Sequence, residues 1–139
     1  MRQATDELSI ETPGRSLVDV TGEVSAFVRR AGVAEGLLTV FCRHTSASLL
    51  IQENADPDVL ADLDSFLTRL APEDRSLYRH NAEGPDDMPS HIRAALTQTQ
   101  LSIPMIEGRL ALGTWQSIAL LDPNADNPER TVLLSFLSG

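Results

Sequence analysis

The residues best equipped for chemistry are three histidines, His44, His80 and His91. Each stands in a polar, turn-like context beside acids, hydroxyls or glycine. Taken singly, a histidine in such a place is usually a solvated or hydrogen-bonded side chain. Taken together, three neutral imidazoles with carboxylates behind them make the ligand set of a catalytic zinc-type centre with one open position. His80 and His91 flank NAEGPDDMPS, whose Gly84, Pro85 and Pro89 suit a loop that folds back on itself. His44 comes from a separate part of the chain, so the spacing lacks the one-face logic of a helical HExxH and leaves convergence to the fold.

The neighbouring acids have two readings. Glu53 follows a strand-like run and precedes a helix start, so it could enter the cleft of His44 as a general base or back a metal ligand; equally, it is a surface acid. Asp86 and Asp87 complement the dipole at the start of a helix, or one of them orients His80 or His91. Asp58, Asp62 and Asp64 read as a solvated helix face. Two stretches could receive an anion. HTSAS (44–48) offers hydroxyls and main-chain amides, and GRLALGTWQ (108–116) supplies Arg109, Gly113, Thr114 and Gln116, with Arg109 either a phosphate or carboxylate clamp or a partner of one of the acids. Trp115 is expected in the core.

Composition removes several alternatives. All eleven basic residues are Arg, which rules out a Lys Schiff base, pyridoxal-phosphate attachment and a phosphate loop ending in Gly-Lys. Twenty acids give a net charge of −9, the wrong sign for a phosphate-backbone binder. The single Cys42 excludes an internal disulfide and cysteine-based zinc fingers, and its apolar setting predicts a buried, inert thiol. With 139 residues, 42% hydrophobic, the chain is one globular domain, 1–139. No apolar run has spanning length and the first residues lack a secretory pattern, so the expectation is a cytoplasmic protein with no membrane and no nucleic-acid partner.

The elements that must position these groups alternate in type. Strands are expected at 7–11, 16–20, 37–42 and 48–52, and the turn between the first two falls at Pro13 and Gly14. Thr21 is placed to cap a helix carrying Val24, Phe27, Val28 and Ala31, with Gly32 as its left-handed stop. Asp56-Pro57 starts a second helix, whose stripe of Leu60, Leu63, Phe66, Leu67 and Leu70 ends before Pro72. A third begins near Pro89, and strands return at 101–106, 109–121 and 131–137. The reading is α+β, a single compact domain with mixed or antiparallel sheet layers and about three helices.

HTSASLLIQENADPDVLADL, YRHNAEGPDDMPSHIRAAL and IPMIEGRLALGTWQ together resemble the YjbQ-like family, often labelled secondary thiamine-phosphate synthases, and the resemblance runs from about residue 6 to 139. It implies a compact α+β homotrimer with a pocket able to hold a divalent metal such as zinc. By position, it makes His44, His80 and His91 the candidate ligands and Glu53, Asn54, Asp86 and Asp87 pocket acids and polar partners; in a metal-dependent reaction Glu53 or Asp87 would be the catalytic group that moves the proton. Ser46, Arg109, Thr114 and Gln116 would line the substrate side. The implied activity joins an aminopyrimidine pyrophosphate to a thiazole phosphate, a reaction that needs a neutralised leaving group and two aligned substrates. A dedicated pyrophosphate grip, Asp-rich or Lys-containing, is missing, so this activity is read as incidental to another on a small phosphorylated molecule. Relatives commonly carry Glu-His-Arg where this chain reads Asp122, Pro123, Asn124, while Arg130 keeps the basic position that follows. A metal-dependent hydrolase and a non-enzymatic ligand- or metal-binding trimer are the alternatives.

Overall fold

The computed structural model describes residues 1–13, 16–124 and 129–139; the turn expected at Gly14 lies outside the described residues. In chain order the elements are β1 (Arg2–Glu11), β2 (Ser16–Asp19), α1 (Thr21–Ala31), β3 (Gly36–Cys42), β4 (Ser48–Glu53), α2 (Pro57–Leu70), α3 (Asp87–Leu96), β5 (Gln100–Ile106), β6 (Arg109–Leu110), β7 (Gln116–Asp122) and β8 (Glu129–Ser138). A single 3-10 turn, Arg75–Leu77, bridges α2 and α3.

Two sheets form, one of five strands ordered β1-β8-β3-β5-β6 and one of three ordered β2-β7-β4. Every strand pairing among them is antiparallel. The period-2 pattern explains the layering: in β8 Arg130, Val132, Leu134, Phe136 and Ser138 are buried, while Thr131, Leu133 and Ser135 are only half-buried. The inward side chains of β3, β8 and β5 meet those of β4 and β7 in one core that includes Leu38, Val40, Ile118, Leu120 and Leu134. Helix α1 closes that core with Val24, Phe27 and Val28, and Phe27 sits 6.0 Å from Phe136 at a tilted angle.

The local signals mostly act as expected. Gly32 ends α1 at φ 63°, a left-handed conformation in which Gly carries no Cβ penalty. Asp56 caps α2 by accepting the Asp58 N–H. Thr21, by contrast, is the first helical residue rather than the cap, and its Oγ1 accepts the Ile118 N–H at 2.8 Å, tying α1 to β7. The apolar stripe of α2 buries no residue fully; Phe66 and Leu70 remain more than half exposed. Trp115 is also exposed, at 62%, because it lies in the turn between β6 and β7 and not on a strand's inner face. Among the described residues, no helix is long and apolar enough to cross a membrane.

Candidate functional site

The histidine cluster is built on the start of α3. Asp87 is the first residue of that helix and His91 follows four positions later, so both project from one face. His80 arrives from the preceding loop, which Tyr78 braces by donating from its hydroxyl to the Pro72 carbonyl at 2.7 Å, and Asn81 by donating to the Tyr78 carbonyl. The loop turns back at Gly84, where φ is +103°. The outcome places His80 Nε2 2.7 Å, and His91 Nε2 3.2 Å, from the same oxygen, Asp87 Oδ2. Ligand atoms of His80, Asp87 and His91 all lie within 4.8 Å of one another, a grouping that could hold one ion.

The hydrogen bonds of His91 decide what this cluster can hold. Its Nδ1 faces the Thr45 carbonyl at 2.9 Å, which can only accept, so Nδ1 must carry a proton. Its Nε2 faces a carboxylate oxygen, which also only accepts when ionised. A neutral imidazole has one N–H and cannot serve both. An ion held by the Nε2 lone pair and Asp87 would satisfy both contacts. The donor set therefore fits a divalent ion, with the Thr45 carbonyl fixing the tautomer that turns Nε2 to it. Burial pushes the Asp87 carboxyl up, but the His80 hydrogen bond and the charges nearby outweigh it and hold the group below the ordinary range, in its ligating form.

His44 does not join this cluster. Its Nε2 accepts the Thr131 N–H at 2.8 Å, and Arg130 Nη1 stands 3.3 Å from Nδ1. The three-histidine set expected from sequence is thus replaced, within the chain, by two histidines and Asp87. Partial burial, with Arg130 and Arg43 nearby, lowers the His44 pKa, so the ring is held neutral. Behind it lies a buried polar frame. Asp122, with no exposed surface, takes Arg130 Nε at 2.8 Å and Nη2 at 3.0 Å as a bidentate pair, and Thr12 donates to it as well. Burial raises the Asp122 carboxyl, but its bonds from Arg130, Thr12 and Asn124 more than offset this and hold it low. Asn124 also donates to the Ser46 carbonyl and accepts from Ser90 Oγ, joining the HTSAS loop to α3. The segment where this chain departs from the pattern of its resemblance is therefore a working part of the frame.

His44, Thr45 and Ser46 form one wall of an open cleft of about 640 Å³, and His91 reaches it from α3. Ser46 Oγ is held by Arg130 at 3.3 Å, and Asp86 serves α3 as its N-cap residue, its carbonyl accepting from Ser90. The remaining residues singled out in the sequence go elsewhere. Glu53 and Gln116 pair at the far end of the three-stranded sheet, five residues and roughly 16 Å along β4 from Ser48. Asn54 bonds the Thr114 carbonyl at that same end. Arg109, in the β5–β6 hairpin, sits at the Gly36 end of β3, roughly 20 Å from the Cys42 end that leads to His44. The structure does not bring Glu53, Asn54, Arg109, Thr114 or Gln116 to the histidines of the same chain, because strand direction puts them at opposite edges. Asp64, assigned to the solvated helix face, is more than half exposed and also bonds the buried Arg93 at 3.2 Å. Cys42 is buried with its thiol pKa raised, chiefly by desolvation.

The model of the family described as UPF0047 protein YjbQ-like matches residues 6–139. The chain belongs to the YjbQ-like UPF0047 family. Among its relatives, the UPF0047 protein sll1880 of Synechocystis is 53% identical over 99% of this chain and 93% of its own. The UPF0047 protein YjbQ of Escherichia coli O157:H7 is 38% identical, with 96% of each chain covered. Solved YjbQ-like folds agree: the YjbQ/UPF0047 protein of Clostridium acetobutylicum superposes with a TM-score of 0.86 at 35% identity, covering 95% of this chain and 99% of that one. A hypothetical protein of Aeropyrum pernix gives 0.88 at 31% identity, covering 98% and 99%. These YjbQ-like relatives share the α+β architecture that carries the His80–Asp87–His91 cluster here.

Proposed function

We propose that this YjbQ-like protein is a divalent-metal-dependent enzyme acting on a small phosphorylated molecule bound in the cleft beside His91. The observation that carries the reading is the pair of acceptors facing His91, the Thr45 carbonyl and Asp87, which a metal ion reconciles without an extra proton. His80, His91 and Asp87 would hold the ion, and two nitrogens with one carboxylate oxygen favour zinc. Bound there, the ion supplies charge neutralisation for a phosphoryl or pyrophosphate oxygen and a lowered pKa for water. The chain's own residues do the rest. The Thr45 carbonyl orients His91, Arg130 of the buried frame fixes Ser46, and burial with Arg130 nearby keeps His44 neutral as an uncharged part of the cleft wall.

Thiamine-phosphate synthesis is the named activity for this chemistry, and hydrolysis of a phosphate ester at the same centre is its competitor. Growth of a thiamine-requiring strain carrying this protein separates them, since a hydrolase fails to support it even when overproduced. The metal itself is tested by elemental analysis of the untagged protein and of the His91→Ala and Asp87→Ala variants. About one ion per chain is expected in the parent and a large loss in both variants. Unchanged metal content in the variants, or a parent without metal whose His91 is an imidazolium by nitrogen NMR, overturns the proposal.

We also infer a homotrimer built on the outer face of the five-stranded sheet. Leu37, Ile106 and Leu137 are 43–52% exposed there, and Leu37 and Leu137 are register partners on neighbouring strands. Leu137→Asp is expected to give a monomer in light scattering; an unaltered mass removes this face from the interface.

A further inference from the structure

The protein carries twenty acids against eleven arginines, yet the described residues lining the cleft beside His44 and His91 include no carboxylate. Smaller hollows are lined by acids, Asp64 and Glu73 in one and Glu107 in another. The large cleft instead presents one full cation, Arg43, with the hydroxyls of Thr45, Ser46 and Thr99. A second wall is apolar: Phe41, 42% exposed, with Ala94 and Ala95 of α3. Arg43 is available for a new partner, because its ion pair with Glu7 is 3.4 Å long and both side chains are more than half exposed. Such pairs contribute little and exchange readily.

We infer that Arg43 is the specificity-determining residue of this cleft, selecting an anionic molecule whose planar or apolar body lies on Phe41, Ala94 and Ala95. The guanidinium offers a fork of donors that matches a phosphate or carboxylate, and the hydroxyls complete the anion's hydrogen bonds. The apolar wall gives affinity for the body of the molecule that a bare inorganic ion lacks. Arg43 gives the cleft a cation that an incoming anion can claim from the exposed Glu7. This inference deepens the proposed function by assigning a recognition element to the same site.

The test uses the whole protein with phenyl phosphate, inorganic phosphate and benzylamine as probes, binding being followed by calorimetry, with metal content measured in parallel. Phenyl phosphate is expected to bind more tightly than inorganic phosphate, and benzylamine not at all. Arg43→Gln should weaken phenyl phosphate about tenfold, the effect of losing one charge-assisted contact, with Arg43→Lys recovering part of it. Ala95→Glu, which places a carboxylate in the acid-free cleft without touching the sheet, should weaken it similarly. Arg69→Gln on exposed α2 should change nothing. Equal binding of phenyl phosphate to the parent and Arg43→Gln, or equal binding of benzylamine and phenyl phosphate, overturns the inference. A parent without metal that still binds phenyl phosphate through Arg43 refutes the metal reading and leaves this one standing; a metal-loaded parent that ignores phenyl phosphate does the reverse.

Discussion

Asp122→Ala is the substitution through which the site frame can be weighed. Asp122 has no exposed surface and Arg130 is 9% exposed, and the pair is made by two bonds of 2.8 and 3.0 Å. Removing the carboxylate leaves a guanidinium buried without its counter-charge and takes one acceptor each from Thr12 and Asn124. Breaking one side of such a pair costs about 3–5 kcal/mol, against a total stability of about 5–15 kcal/mol for a domain. A fall in Tm of roughly 10–20 °C follows for a chain of this size. The same change reaches the cleft, because Asp122 raises the His44 pKa and Arg130 lowers it. With Asp122 gone, the His44 proton resonances should titrate at still lower pH. The assay is urea unfolding at fixed protein concentration with an NMR titration of His44. Arg130→Met in the Asp122→Ala background should restore most of the lost stability, since two apolar groups replace a broken ion pair. A loss below about 1 kcal/mol, or single-variant effects that simply add in the double variant, would refute the claim that the pair is a desolvated unit.

Other outcomes follow from the same geometry. His44 has a folded pKa below its unfolded value of about 6.5, so its contribution to stability is complete above that pH and is lost as pH falls through the folded value. The urea midpoint should be flat from about pH 8 to 7 and decline below about 6.5, and His44→Gln should flatten the first part of that decline; an unchanged slope refutes it. Asp122, also held low, adds a second loss only below its unfolded pKa of about 3.9, checked by far-UV circular dichroism during acid titration. Asp56→Ala removes the α2 cap and should cost about 1 kcal/mol in urea unfolding, with amide exchange accelerated in the first turn of α2. Chelator-stripped protein titrated with Zn²⁺ to about 100 times its Kd should gain about 2.7 kcal/mol, and His91→Ala should gain almost none.

The α+β layout was legible because local rules and burial agree over most of the chain. Alternation marked β8, Gly32 stopped α1, and Asp56-Pro57 opened α2. The exceptions share a cause. The stripe of α2 looks like a core helix, but periodicity reports an apolar face without saying whether anything covers it. Trp115 is apolar enough for the core, yet its turn carries it outward. Thr21 is chemically a cap, but the Ile118 amide competes for its hydroxyl.

Residue type put His80, Asp87 and His91 among the candidates, but the four-residue step from Asp87 to His91 appears only because α3 starts at Asp87 and not near Pro89. Which groups actually meet is a long-range matter. His44 stands in the same cleft as His91, yet Thr131, far along the chain, takes its Nε2, and Arg130 lies 3.3 Å from its Nδ1. Glu53, Asn54, Thr114 and Gln116 gather at the opposite edge because antiparallel register, which no local pattern encodes, sets the direction in which β4 and β7 run. The sequence therefore determines the elements and the stock of reactive groups. The pairing of strands decides which of those groups share a cavity, since proximity across a sheet depends on register and not on distance along the chain.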